Sequence, residues 1–162
     1  MTRLSRVLAL LTMGLLAGTA AGETTSSGPV SKETALKAIE TFQKDPSGTD
    51  GLAAASMIMS FAKKSDAVHL THSKAVVPWL KKQDAPDADT RSILLAAYVA
   101  GNVRSQLKSG KAEDDIYAGW QQVISTYDQL RRINPTVKLP EIDSFKAKEK
   151  AGTLRSYASE VQ

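Results

Sequence analysis

The sequence has no cysteine, and its 162 residues include only two histidines. Without cysteine, the chain forms no disulfide bonds and carries no lipid on an N-terminal cysteine. No segment shows the alternation of apolar and polar residues that is typical of a half-buried β-strand. A fold without strands or disulfides has to be stabilised by helix packing, so we predict an all-α protein.

The first 22 residues have the layout of a secretory signal peptide. Arg3 and Arg6 supply a positively charged start, residues 7–17 form an apolar run, and small residues follow as far as Gly22. The apolar run is about half as long as a membrane-spanning helix, which needs roughly 20 residues. We therefore predict a signal peptide over 1–22 and a periplasmic or secreted protein with no stable membrane insertion after cleavage. An N-terminal amphipathic helix is the alternative.

An excess of positive charge is also lacking. Two of the 21 basic residues precede Gly22 and none of the 17 acidic ones does, which leaves 19 basic and 17 acidic residues and a net charge of +2 after signal removal. Nucleic-acid binding requires a concentrated basic surface, so we expect no nucleic-acid partner. The densest basic stretch, KAKEK at 146–150, is interrupted by Glu149 and has the spacing of a solvated helix face.

The remaining sequence suits one domain. The polar stretch ETTSSGP offers little to bury, so we expect a disordered leader over residues 23–30. Residues 31–160 then form a single α-helical domain, of a size that buries about two thirds of its unfolded surface. Ser31 is the expected N-cap of its first helix. Pro140 is expected at the start of the last helix, and Gly152 as a break within it.

Two segments, residues 52–62 and residues 93–101, are apolar around almost their whole circumference. Such helices need to be surrounded, so we expect the two to touch and to form the centre of the fold. The second helix becomes polar at Asn102 and Gln106, and we expect this half to emerge into solvent. The pattern as a whole predicts five or six helices, arranged as a compact bundle or a short superhelix of hairpins.

The stretch YAGWQQVISTYDQLRRINP, residues 117–135, is the most regular helical pattern in the chain. At 100° per residue its apolar side chains fall within an arc of about 120°, and polar side chains occupy the opposite side. The apolar arc consists of Ile116, Trp120, Val123, Ile124, Tyr127 and Leu130. One face of this helix is therefore predicted to be core, and Asn134-Pro135 to end it.

Part of this stretch, VISTYDQLRRINP, resembles the second helix of a tetratricopeptide repeat. The matching positions are occupied by Val123, Tyr127, Leu130 and Asn134-Pro135. LLAAYVAG, residues 94–101, is similar to the first helix of such a repeat, so the resemblance covers residues 94–135. The connector over 108–115 is too long for a period of about 34 residues, Leu130 is larger than the expected residue, and no second copy is detectable. The resemblance implies a TPR-like α-α superhelix and a protein-binding scaffold without catalysis; a plain αα-hairpin is the alternative.

Both histidines fall in one irregular stretch, where Asp66, His69 and His72 follow each other at three-residue steps. On a helix this spacing would direct the three side chains toward one edge, where they could bind a divalent metal ion. On a strand the two histidines would point to opposite faces and the set would not form. Solvated surface histidines are the alternative, and we expect no cofactor.

Two function classes remain open. We favour a non-enzymatic protein-binding module or scaffold of bacterial type, exported and bound to another envelope or secreted protein. Its contact would be a groove between helices or the polar face around Arg131 and Arg132, although a basic pair is also typical of an ordinary solvated face. The alternative is a small metal-dependent enzyme or metal-binding protein that uses Asp66, His69 and His72.

Overall fold

The computed structural model of the protein describes residues 30–71, 73–80 and 88–162. The helices in these ranges are α1 (Lys32–Lys44), α2 (Thr49–Lys64), α3 (Ala88–Ser109), α4 (Ile116–Ile133), α5 (Pro140–Lys150) and α6 (Leu154–Glu160), with one 3-10 turn over Pro78–Leu80. All regular structure that the described ranges contain is helical, which confirms the all-α prediction. None of these helices is long and apolar enough to cross a bilayer. The predicted signal peptide, 1–22, and residues 23–29 of the predicted leader lie outside the described residues.

Several helix ends lie where their local sequence predicts them. The Ser31 hydroxyl caps α1 by accepting a hydrogen bond from the Thr34 N–H at 3.2 Å. Pro140 occupies the first turn of α5, where its missing N–H costs no helical hydrogen bond. α5 ends at Lys150 and α6 begins at Leu154, so the predicted break at Gly152 is confirmed.

Helices α3 and α4 form an antiparallel hairpin at the centre of the fold. Ser105 near the end of α3 donates to the carboxylate of Asp115, which precedes α4, at 2.5 Å. Further along, Gly101 lies so close to α4 that an added Cβ would be 2.4 Å from the Ala118 carbonyl oxygen. An antiparallel hairpin is common to tetratricopeptide repeats and to unrelated helical proteins, so the resemblance of residues 94–135 stays a prediction.

Aromatic side chains join the two C-terminal helices to α4. The Trp120 ring stacks on Phe145 of α5 with centroids 4.4 Å apart, and on Tyr157 of α6 at 5.4 Å. The Trp120 indole N–H donates to the Val76 carbonyl oxygen at 2.8 Å, which attaches the segment before the 3-10 turn. Trp79 from that turn packs edge-on against Phe145 at 6.3 Å. The predicted core face of α4 is therefore correct.

The polar half of α3 emerges into solvent only in part, since Arg104 and Ser105 are half-buried and Lys108 is exposed, whereas two of its polar residues are buried. Asn102 and Gln106 are 0% and 1% exposed. Buried amides are stable only when their donors and acceptors are paired, and Gln106 binds the backbone of His69 while Asn102 accepts from the Asp115 N–H. The prediction failed for Asn102 and Gln106 because the sequence pattern does not show which polar residues find such partners.

The prediction for α2 is only partly correct. α2 packs against α3, and residues 93–101 of α3 lie at the centre, as expected. α2 itself is not surrounded, because α1 and α3 cover one side of it and no described element covers the rest. The buried residues of α2 are Gly51, Ala54, Ile58 and Phe61. On its other sides Leu52 and Met57 remain 47% and 41% exposed.

Candidate functional site

The uncovered side of α2 forms one wall of an open groove with a volume of about 770 Å³. We call it the apolar groove. Its main apolar lining residues are Leu52, Ala55 and Met59 from α2, Ile93 and Ala96 from α3, and Ile133 from α4. A volume of this size is in the range of ligand-binding clefts, about 300–1,000 Å³.

A second depression, of about 700 Å³, continues the groove toward the C-terminal end of α2. The two depressions share the Met59 side chain. The second one is lined by Lys63, Lys64 and His69, together with apolar side chains that include Val99. We call it the basic end, because Lys63 and Lys64 line it, whereas no lysine or arginine is among the described residues that line the first depression.

The register of α2 explains why groove and basic end are continuous. Leu52, Ser56, Met59 and Lys63 follow each other at steps of three or four residues, so they lie in one stripe along the helix. From Leu52 to Lys63 this stripe is about 16 Å long at the helical rise of 1.5 Å per residue. Along this one face of α2, the stripe therefore begins with the apolar Leu52 and ends with the basic Lys63.

The walls of the apolar groove expose large apolar side chains. Ile133, the last residue of α4, is 69% exposed, and Leu52 is 47% exposed. Isolated exposed apolar residues are ordinary, but Leu52 and Ile133 line the same groove, and apolar side chains grouped in one patch are typical of binding surfaces. No described residue covers this patch.

A buried polar network builds the wall of the basic end. The Gln106 side chain donates to the His69 carbonyl oxygen at 2.6 Å and accepts from the His69 N–H at 2.8 Å. Its amide nitrogen also donates to the Asn102 side-chain oxygen at 2.6 Å. The segment around His69 is not helical, and these bonds give its backbone the partners that a helix or sheet would otherwise supply.

The same network continues to Thr71. The Thr71 N–H donates to the Asp114 carboxylate at 2.9 Å, and the Tyr98 hydroxyl donates to the Thr71 carbonyl oxygen at 3.3 Å. Asn102 donates to both Asp114 and the Tyr98 oxygen. Burial, and then the negative charge of Asp114, raise the pKa of Tyr98 above its ordinary value. Because these groups bind one another and the backbone, we interpret the network as structural rather than catalytic.

Two residues of the predicted metal set, Asp66 and His69, are among the described residues. Asp66 lies in the turn after α2 and His69 in the non-helical segment that follows, and both residues are exposed. The helical spacing that would align these two side chains is therefore not present, and His72 lies outside the described residues. Within the described ranges, no three His, Cys, Asp or Glu side chains are placed to hold a metal ion. The metal site stays a prediction.

The predicted basic pair is divided between two environments. The Arg131 guanidinium lies 5.5 Å from the centre of the Tyr127 ring, and its Nη1 atom lies 3.6 Å from Asp143 Oδ1. Arg131 is therefore engaged within the fold. Arg132 is exposed and directly precedes Ile133 at the edge of the apolar groove.

The residues of the apolar groove were not identified from the sequence. The sequence did contain a signal for α2, because its apolar circumference exceeds what two neighbouring helices can cover. For Ile133 the signal was its position outside the apolar arc of α4, where a large aliphatic side chain has no core to enter. Both signals indicate apolar side chains that the fold itself does not cover.

Comparison with known proteins adds no functional assignment to this geometry. No family model, no curated protein and no solved structure matches the chain. The function therefore has to be inferred from the fold, the apolar groove and the basic end.

Proposed function

We propose that this chain is an exported, non-enzymatic binding module that docks an apolar segment of another envelope or secreted protein in the apolar groove. The observation that supports this most directly is the exposure of Leu52 and Ile133 along one groove. Exposing such a patch to water is unfavourable, and covering it with a partner removes apolar surface from water. Association is thus driven mainly by the hydrophobic effect.

The composition of the lining supports binding over catalysis. Ser56 is a groove residue, but its hydroxyl donates to the Leu52 carbonyl oxygen at 3.2 Å, as serines inside helices commonly do. A serine nucleophile needs a base within hydrogen-bond reach, and the one ionisable group among the described lining residues is Asp89. The groove offers shape and apolar contact, which are the properties of a docking surface.

The proposal is tested by placing a photo-crosslinking amino acid at Ile133, in cells that export the protein. We expect a discrete crosslinked protein, and we expect Leu52→Glu to abolish it because a carboxylate in the groove cannot be desolvated cheaply. The matched control is Met57→Glu, since Met57 is an exposed apolar residue of α2 that does not line the apolar groove. Equal loss of the crosslink in both variants, or no crosslinked protein, would contradict the proposal.

A further inference from the structure

We infer that the docked segment is an amphipathic α-helix with acidic residues in its first turn, lying antiparallel to α2 with that turn at the basic end. This inference rests on the proposed function and assigns the chemistry of the partner. It follows from three properties of the site: its backbone surroundings, the size of its lining side chains and its distribution of charge.

The backbone surroundings favour a helical partner. The elements that border the groove are helices, whose interior N–H and C=O groups are already bonded within each helix. An extended peptide that binds by strand addition needs a strand edge, and the described part of the chain has none. A helix satisfies its backbone internally and can enter an apolar groove without leaving polar groups unpaired.

The size of the lining side chains also suits a helix. The lining combines the small side chains Ala55, Ser56 and Ala96 with the larger Leu52 and Ile133. Small residues between larger ones let a third helix approach at the usual interaxial distance of about 8–10 Å. A helix, about 10 Å wide with its side chains, presents more apolar surface to Leu52 and Ile133 than a thin acyl chain does.

The charge distribution sets the orientation. Lys63 and Lys64 line the basic end, and neither forms an ion pair with a carboxylate among the described residues. Acidic side chains are most favourable in the first turn of a helix, where they also complement its dipole. A partner helix that places its first turn beside these lysines therefore runs antiparallel to α2. The stripe from Leu52 to Lys63 corresponds to about three turns of such a helix.

The test uses a designed probe, a fluorescently labelled helical peptide of about 14 residues with leucines on one face and glutamates in its first turn. One control peptide carries lysines in place of the glutamates, and a second has the same composition with its leucines distributed around the helix. Binding to the purified protein is measured by fluorescence polarisation at low salt. We expect the acidic peptide to bind about tenfold more tightly than the lysine peptide, since two exposed ion pairs and the removed repulsion each contribute modestly.

Charge-reversal variants of the protein show whether the lysines of the basic end cause the preference for the acidic peptide. Lys63→Glu/Lys64→Glu should reverse the preference between the acidic and the lysine peptide, and Lys37→Glu/Lys111→Glu, which changes the same charge at exposed sites outside the groove, should preserve it. All four of these lysines are exposed, and circular dichroism confirms that the variants are folded. Crosslinking from a photoreactive group in the first turn of the peptide should label the basic end rather than the region of Ile133.

The outcomes separate the inference from the proposed function. If the acidic and lysine peptides bind equally while the redistributed peptide does not bind, the assignment of an acidic first turn is overturned and docking in the groove stands. If dodecanoate binds in a 1:1 ratio and no peptide does, the ligand is an anionic amphiphile and both the helix inference and the protein-binding function are overturned. If no probe binds and the crosslink at Ile133 still depends on Leu52, only the helix inference fails.

Discussion

The Gln106 side chain binds the backbone of His69 through both of its amide atoms, with hydrogen bonds of 2.6 and 2.8 Å. The Gln106 amide thus pairs with the N–H and C=O groups of His69 as the backbone of a neighbouring β-strand would. It attaches a non-helical segment to the central helix α3 and fixes the wall of the basic end. The site and the stability of the core are therefore coupled through one buried amide.

Replacing Gln106 with leucine should destabilise the protein by about 2–4 kcal/mol, because the variant leaves the N–H and C=O groups of His69 unpaired and removes one of the two hydrogen bonds that the Asn102 side-chain oxygen accepts. Urea unfolding measures the change in free energy. Gln121→Leu is the control, because Gln121 is exposed, and it should change the free energy of unfolding by less than about 0.5 kcal/mol. Equal effects of the two substitutions would show that the Gln106–His69 pairing contributes nothing.

Helix ends and the core face of α4 could be predicted from sequence because they depend on local chemistry. The Ser31 cap, the proline in the first turn of α5 and the apolar arc that contains Trp120 are each determined within a few neighbouring residues. The polar network and the uncovered side of α2 depend on contacts between distant segments. Periodicity shows that a face is apolar, but it does not show whether the chain supplies a second surface to cover it.

Tyr98 should make the protein less stable in alkaline solution. Burial and the Asp114 carboxylate raise the pKa of Tyr98 above its ordinary value of 10.0, so the unfolded chain loses the hydroxyl proton first as pH rises. The contribution of the Tyr98 hydroxyl to the free energy of unfolding is complete below pH 10. Above pH 10 it decreases by about 1.4 kcal/mol per pH unit, once the hydroxyl is ionised in the unfolded chain. Urea unfolding between about pH 8 and 11 measures the slope.

Tyr98→Phe provides the control for this pH dependence. The variant loses hydrogen bonds at every pH, so its free energy of unfolding is lower throughout. Above pH 10, however, this free energy should decrease less steeply with pH than that of the unsubstituted protein. A smaller decrease should remain, because burial also raises the pKa of Tyr127. An unchanged slope in Tyr98→Phe would contradict the assignment of the alkaline effect to Tyr98.

The close approach of α3 and α4 makes Gly101 sensitive to substitution. A Cβ at this position would lie 2.4 Å from the backbone oxygen of Ala118, which cannot rotate away as a side chain could. We expect Gly101→Ala to cost about 1–3 kcal/mol as the helices are forced apart. Gly110→Ala is the comparison, because that residue has φ +70° and no atoms near its Cβ position, so only backbone strain of about 1–2 kcal/mol applies.

The indole of Trp120 should report on the packing of the C-terminal helices. Trp120→Phe removes the hydrogen bond to Val76 and part of the stacking with Phe145 and Tyr157, so we expect a loss of about 1–3 kcal/mol in thermal or urea unfolding. Tyr117→Phe is a control at a half-buried aromatic residue on the same helix, and it should cost less than about 1 kcal/mol. A larger effect at Tyr117 would contradict the central role of Trp120.

Buried residues of α2 and exposed residues of the apolar groove should respond differently to substitution by smaller or polar side chains. Ile58 is fully buried, so Ile58→Ala should destabilise the protein by about 2–5 kcal/mol through lost burial and the cavity that remains. Leu52→Ser and Ile133→Ser, at the exposed positions of the apolar groove, should change the free energy of unfolding by less than about 1 kcal/mol while weakening binding of the amphipathic probe peptide. Urea unfolding and fluorescence polarisation on the same samples give the two quantities. If either serine variant destabilises the protein as much as Ile58→Ala, its side chain belongs to the core and the groove is not a surface kept for a partner.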